Sequence, residues 1–324
     1  MSTACTPHEH GDLIRQKQQS SSRLRFRVSD TWAWIAIVLL IGDSLGEGLP
    51  IVFDYHVHST YSVDCNIPME SSCRAAIEAG VTEIAITDHV DHVPADLGCG
   101  YYRPDDYLQE LDEVRAQFAG ELTVLRGIEV DYNDSTVEEV EKFINEYAGH
   151  YDFIIGSVHY FSDGSMIFPD NFADKTLDEV FLPYLDQVER AVETGWFDSI
   201  GHLDLPKRYA PKTHRSYDPM QYRERLIEIF DRMIQTGVGF EINTSGLRQT
   251  PRTSMPAGSI VRLYADRGGK LITTGTDSHA PQTVGAGLAK TMEMLRLCGI
   301  ESVASFRERK ATLVPIASLR PREN

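Results

Sequence analysis

The sequence predicts an α/β fold, a TIM-like barrel of parallel strands built from about seven strand-helix units, on three observations. Short β-branched runs alternate with amphipathic helical stretches from Ile51 onward, and strands separated by helices pair in parallel because parallel neighbours need a crossover connection. No linker interrupts the alternation, which favours one closed barrel of the triosephosphate-isomerase type over a doubly wound open sheet. Neither Gly-x-Gly-x-x-Gly nor Gly-x-x-x-x-Gly-Lys occurs, so a nucleotide-phosphate cradle on an open sheet has no support.

Taken in order, residues 1–50 read as an N-terminal extension unlike the remainder. A polar Ser/Gln/Arg-rich segment precedes an apolar run at 32–42 with Arg23, Arg25 and Arg27 ahead of it. The run is too short to span a bilayer stably and has the length of a signal-peptide core. The extension is a signal-like or membrane-tethering segment, an extra helix docked on the domain, a disordered and dispensable appendage, or the product of a start assigned too far upstream. The last two are favoured, since nothing else suggests export. The remaining domain, 51–324, carries strands predicted at 51–57, 83–87, 122–128, 153–157, 199–202, 239–243 and 270–274 from their β-branched runs. Helices are predicted between and after them at 70–79, 105–118, 136–147, 177–194, 219–236, 257–266 and 282–297. Several end at a glycine (Gly80, Gly195, Gly237, Gly299), the residue that best closes a helix in the left-handed conformation.

The chain has 324 residues, enough for one large α/β domain, and a formal net charge of -17. That balance argues against a broad nucleic-acid surface, which needs clustered Lys and Arg. An anionic substrate would need local positive charge, and bound metal ions supply it within an acidic protein. The five cysteines (Cys5, Cys65, Cys73, Cys99, Cys298) are odd in number and lack C-x-x-C spacing, which fits a reducing cytoplasm rather than a disulfide framework or a thiolate zinc site.

In such barrels chemistry gathers where strands end, so polar residues just after apolar runs belong together. They are His56, His58 and Asp64 after strand one, Asp88-His89 after two, Glu129 after three, His159 after four, His202 and Asp204 after five, Glu241 and Asn243 in six, and Asp277 and His279 after seven. Strand alternation puts Asp54, His56 and His58 on one side. Any one of these histidines alone is more often an ordinary hydrogen-bonded residue, and an Asp there often caps a helix. But six of the 11 histidines fall at the same end of predicted strands, a coincidence the ordinary explanation would need six times. His92, His150, His214 and the pair His8-x-His10 lack that placement and stay ordinary. Imidazoles and carboxylates without thiolates suit divalent Zn, Mn or Fe.

These residues carry an ordered set: His56-x-His58, Thr87-Asp88-His89, Gly127-Ile128-Glu129, Ser157-Val158-His159, Gly201-His202-Leu203-Asp204 and Asp277-Ser278-His279. The set resembles the PHP (polymerase and histidinol phosphatase) superfamily, and most of all its histidinol-phosphatase branch, over about residues 51–316. The resemblance implies a distorted (β/α)7 barrel holding three divalent ions. It implies that His56, His58, Glu129 and Asp277 hold one ion, that Glu129 bridges to a second held by His159 and His202, and that Asp64, His89 and His279 hold the third. Glu129, Asp277 and His202 are the implied catalytic groups. The stretches 201–208 and 241–248 look like that branch and bring Lys207, Arg208 and Arg248 to the barrel mouth as phosphate-binding candidates, although each alone could be a solvated loop charge. Asp88 and Asp204 are candidates to orient ligating imidazoles from behind. The implied reaction is hydrolysis of L-histidinol phosphate, a small-molecule phosphate ester, in histidine biosynthesis. The alternatives are a phosphoesterase for nucleotides or other small phosphates, a non-catalytic module serving a DNA polymerase, which the intact ligand set argues against, and a hydrolase with a carboxylated Lys bridge, for which no Lys is suitably placed.

Overall fold

The computed structural model describes residues 53–172, 174–210 and 218–319, so the predicted extension at 1–50 and His214 lie outside the described residues. Seven parallel strands follow one another round a sheet: β1 (Phe53–Val57), β2 (Glu83–Ile86), β4 (Thr123–Asp131), β5 (Phe153–Ser157), β6 (Ser199–Ile200), β7 (Gly239–Asn243) and β8 (Ile272–Gly275), with the two-residue β3 (His89–Val90) pairing with β4. β8 returns to β1 through a single bridge, Val57 to Ser278. The result is the distorted (β/α)7 barrel that the alternation implies.

Helices α1 (Met69–Glu78), α2 (Pro104–Gln117), α3 (Val137–Tyr147), α4 (Leu177–Thr194), the short α5 (Pro206–Tyr209), α6 (Arg223–Thr236), the short α7 (Ser245–Arg248), α8 (Gly258–Asp266) and α9 (Leu288–Leu297) alternate with the strands. Their apolar stripes, such as Val180, Tyr184, Val188 and Val192 on α4, are buried in the continuous core. Gly80, Gly195, Gly237 and Gly299 all have positive φ, 65° to 85°, as expected from their places after helices. β1 is buried along its whole length, but a bulge between Asp54 and Val57 breaks strict alternation. The expectation that Asp54 shares the face of His56 therefore fails: His56 meets Glu129 and Glu241, whereas Asp54 meets Thr276 and Gly285.

A feature absent from the sequence-based expectation is the hairpin β9 (Ser302–Arg307) and β10 (Lys310–Pro315). It packs on the residues that start the strands. Phe306 joins Tyr55 and Phe153 in an aromatic cluster with ring centroids 4.9 to 6.4 Å apart. Its Ser305 hydroxyl and Arg307 engage Glu83, and its turn engages Asp152 and Asp198. Burial pushes Asp198 up to about 6 although Arg309 favours its charged form. Arg309→Ala should leave that buried carboxylate unpaired and orphan the Trp196 carbonyl that its guanidinium also serves. We expect a loss of about 3 kcal/mol in urea unfolding; a loss below about 0.5 kcal/mol would place the hairpin outside the cooperative unit.

Candidate metal centre

The strand ends bring the predicted residues together around Glu129, a carboxylate with no exposed surface in the middle of the barrel mouth. One oxygen, Oε2, lies 3.0 Å from His56 Nε2, 3.1 Å from His89 Nδ1 and 3.5 Å from His58 Nε2. The other, Oε1, lies 3.2 Å from His202 Nε2 and 3.6 Å from His159 Nε2, and accepts from the Ser157 hydroxyl. Asp277 Oδ1 sits 3.5 Å from His58 Nε2 and 3.8 Å from His56 Nε2. His279 stacks on His58 at 4.1 Å between centroids and reaches Asp64 Oδ2 through Nε2 at 3.1 Å. His202 and Asp277 hold positive φ, 25° and 52°. Such backbone costs about 1–3 kcal/mol in a non-glycine residue and persists only where surrounding contacts enforce it.

Several imidazoles are oriented from behind. Glu241 Oε1 takes His56 Nδ1 at 2.9 Å, and Asp131 Oδ1 takes His159 Nδ1 at 3.1 Å. Asp88 does not touch an imidazole in this way. It binds the Ser59 and Ser62 hydroxyls, and Ser62 Oγ in turn meets His58 Nδ1 at 3.0 Å. Asp204 pairs with Lys207 instead. Asp131, two residues beyond Glu129 on β4, went unrecognised in the sequence; period 2 from Glu129 was the signal that could have found it.

The arrangement fits cations. His159 Nε2 and His202 Nε2 stand 3.2 Å apart, and the buried nitrogens His58 Nε2 and His202 Nδ1 have no hydrogen-bond partner. Three sets of donors lie within 4.8 Å of one another: His56, His58 and Glu129; His89, Glu129 and His159; and His58, His89 and His279. Burial opposes ionisation of Glu129, but His56 and His89 hold it well below the usual carboxylate range. Burial likewise opposes Asp277, and Arg208 and His56 outweigh it. His58 is pushed well below its ordinary value by burial and by the imidazoles of His279 and His89. Burial lowers His56, His159 and His279 too, but neighbouring carboxylates outweigh it, holding His56 well above its ordinary value and His159 and His279 up to about 9, so a divalent ion binding here would displace protons from these imidazoles.

Residues 54–245 match the PHP domain family. The chain belongs to the PHP family. It is 30% identical over 263 residues to the probable histidinol-phosphatase of Deinococcus radiodurans, spanning 79% of this chain and 97% of the relative. It is 29% identical over 258 residues to the histidinol-phosphatase of Lactococcus lactis, spanning 78% and 93%. The structure is similar to that of the Lactococcus lactis histidinol phosphate phosphatase complexed with zinc, L-histidinol and phosphate, with a TM-score of 0.72 at 28% identity over 80% of this chain and 98% of that one. These relatives put it in the histidinol-phosphatase branch.

In this PHP barrel the three cations named from the sequence have different settings. Arg208 lies against the centre, its Nη2 donating to Asp277 Oδ2 at 2.6 Å and Ser245 Oγ at 2.7 Å, with Nε buried and unpartnered. Arg248 donates from Nη2 to the Thr276 carbonyl at 2.7 Å and keeps Nη1 buried and unpartnered. Lys207 Nζ is taken up by Asp204 at 2.7 Å and the Ser254 carbonyl at 2.6 Å.

Proposed function

We propose that this PHP protein hydrolyses L-histidinol phosphate to L-histidinol and phosphate with three divalent ions, Zn, Mn or Fe, held by His56, His58, Asp64, His89, Glu129, His159, His202, Asp277 and His279. The observation that carries the reading is Glu129, a buried carboxylate faced by five imidazoles with unpartnered nitrogens among them, in a chain similar over most of its length to histidinol-phosphatases. Divalent ions at such a site supply Lewis acidity and positive charge beside the phosphoryl oxygens.

The protein's own groups do the remainder. Glu129 sits between the donor sets and fixes their spacing, Asp277 and His202 border the space where the phosphoryl group would lie, and Glu241, Asp131 and Ser62 hold tautomer and ring orientation. The free donors of Arg208 and Arg248 supply directed hydrogen bonds to phosphoryl oxygens. The four described cysteines are free thiols, in keeping with work in a reducing cytoplasm, and no helix among the described residues is long and apolar enough to cross a membrane.

Phosphate release should be measured over L-histidinol phosphate, an aryl phosphate and a set of nucleotides, with metal content determined by elemental analysis. We expect kcat/KM for L-histidinol phosphate to exceed the others by about 100-fold or more, roughly 2.7 kcal/mol of discrimination. A clear preference for nucleotides would overturn the substrate and keep the chemistry.

A further inference from the structure

We propose that Asp54 is the positioning residue that sets the β8 exit, and with it Asp277 and His279, against the imidazoles of β1; this rests on reading the site as a metal centre. The barrel has a seam. Every neighbouring pair round the sheet shares a ladder except β8 and β1, which touch through the one bridge at Val57 and Ser278, with His58 N donating to Ser278 O at 2.9 Å and Ser278 N to His56 O at 3.3 Å. Both halves of the centre meet across this seam, because β1 delivers His56 and His58 and the β8 exit delivers Asp277 and His279. With only these two main-chain bonds in place of a full ladder, other groups must help fix that relation.

Asp54 fills the gap. Its carboxylate is wholly buried and accepts three hydrogen bonds: Oδ1 from Thr276 N at 2.8 Å, Oδ2 from Thr276 Oγ1 at 2.7 Å, and Oδ2 from Gly285 N at 2.9 Å. Thr276 immediately precedes Asp277, the ligand candidate held at a φ of 52°. The same residue is held from its carbonyl by Arg248, so Asp54 and Arg248 grip one peptide segment from two sides. Thr274 Oγ1 adds a bond to Phe53 O at 2.8 Å on the same seam. Gly275 completes the approach, since a Cβ there would collide with His56 Cβ and Glu241 Oε1. A buried carboxylate bonded to main-chain donors at two points of the connection that follows β8 is a rigid reference point, and small displacements of a ligand-bearing loop are felt in metal affinity.

The test uses the full-length protein loaded with Zn2+, titrated against a chromophoric chelator, with urea unfolding measured in parallel. In Asp54→Asn the carboxamide has one acceptor oxygen for three donors and turns an NH2 group toward N–H groups. The weakest-bound Zn2+ should lose affinity by about tenfold or more, and raised free Zn2+ should restore hydrolysis of an aryl phosphate. Thr276→Val, which removes only the hydroxyl donor, should lose about threefold, on the scale of part of one hydrogen bond. Thr276→Ser should match the parent. If Asp54→Asn or, should it fail to fold, Thr276→Val retains Zn2+ with parental affinity, the residue is merely structural and the proposal fails. Zn2+ affinity is independent of which ester is hydrolysed, so a protein that responds as expected but ignores L-histidinol phosphate overturns the substrate and supports this inference. A parent that retains no Zn2+ overturns the metal centre and this inference with it.

Discussion

Glu129→Gln should strip the protein of most of its bound metal and lower kcat/KM by about 1,000-fold or more, roughly 4 kcal/mol. The substitution keeps shape and removes charge, so packing in the fully buried site is little changed. Its chemistry is not. Both carboxylate oxygens of Glu129 face imidazole nitrogens, three on one side and two on the other. A carboxamide replaces one of those oxygens with an NH2 group that cannot bind a cation, and it supplies no negative charge to the two sets it would link. Elemental analysis after dialysis and phosphate release from an aryl phosphate give independent readings. A variant with full metal content and near-parental turnover would show that Glu129 does not join the donor sets, and the shared-ligand arrangement would fall.

The second large effect is expected at Arg208. Arg208→Ala should lower kcat/KM by about 100-fold to 1,000-fold, the scale of one directed donor lost from a desolvated site. Its guanidinium is mostly buried and bonded to Asp277, so its charge acts at the centre rather than in solvent. Removing it also frees Asp277, so metal content must be measured alongside activity. Loss of rate with metal retained identifies a phosphate contact. A change under about tenfold, roughly 1.4 kcal/mol, would remove Arg208 from the reaction. Lys207→Ala provides the contrast. Its ammonium is engaged by buried Asp204, so its loss should cost about 3 kcal/mol of stability with little change in kcat/KM of the folded protein. Neighbours in sequence would then separate into one residue that serves substrate and one that serves the fold.

The PHP resemblance was carried by short motifs at strand ends, and the same feature explains why the site was so legible. A strand that ends in His-x-His or Asp-x-His aims its polar residues at the mouth wherever the neighbouring strands fall, because the direction is set by the local backbone. Glu129, His159 and His202 come from three different strands, and it is their shared place at the same end of those strands, not any one of them alone, that marks them in the sequence. The residues behind the imidazoles were less legible. Asp131 became an orienting group because β4 lies beside β5, whose end carries His159, and Glu241 because it reaches His56 from β7 across Gly275 of β8. Asp88 reaches His58 through a serine hydroxyl, a relay that sequence spacing does not encode.

By itself the sequence determined the alternation of strands and helices, the end of the barrel at which the chemistry lies, the helix-ending glycines and the set of imidazoles and carboxylates, since each follows from local periodicity or from a residue's intrinsic backbone preference. The tertiary structure decided what depends on meetings between distant segments. A bulge in β1 sent Asp54 away from His56 to the seam with β8. The β9–β10 hairpin has no local signal because its turn residues, Glu308 and Arg309, adopt positive φ without the Asn-Gly or Asp-Gly that normally marks such a turn, and its place is fixed by Glu83 at the start of β2 and by Asp152 and Asp198 just before β5 and β6. The different settings of Lys207 and Arg208 have the same origin: adjacent cations look alike in a sequence, and the buried carboxylate each meets, Asp204 or Asp277, is decided only on folding.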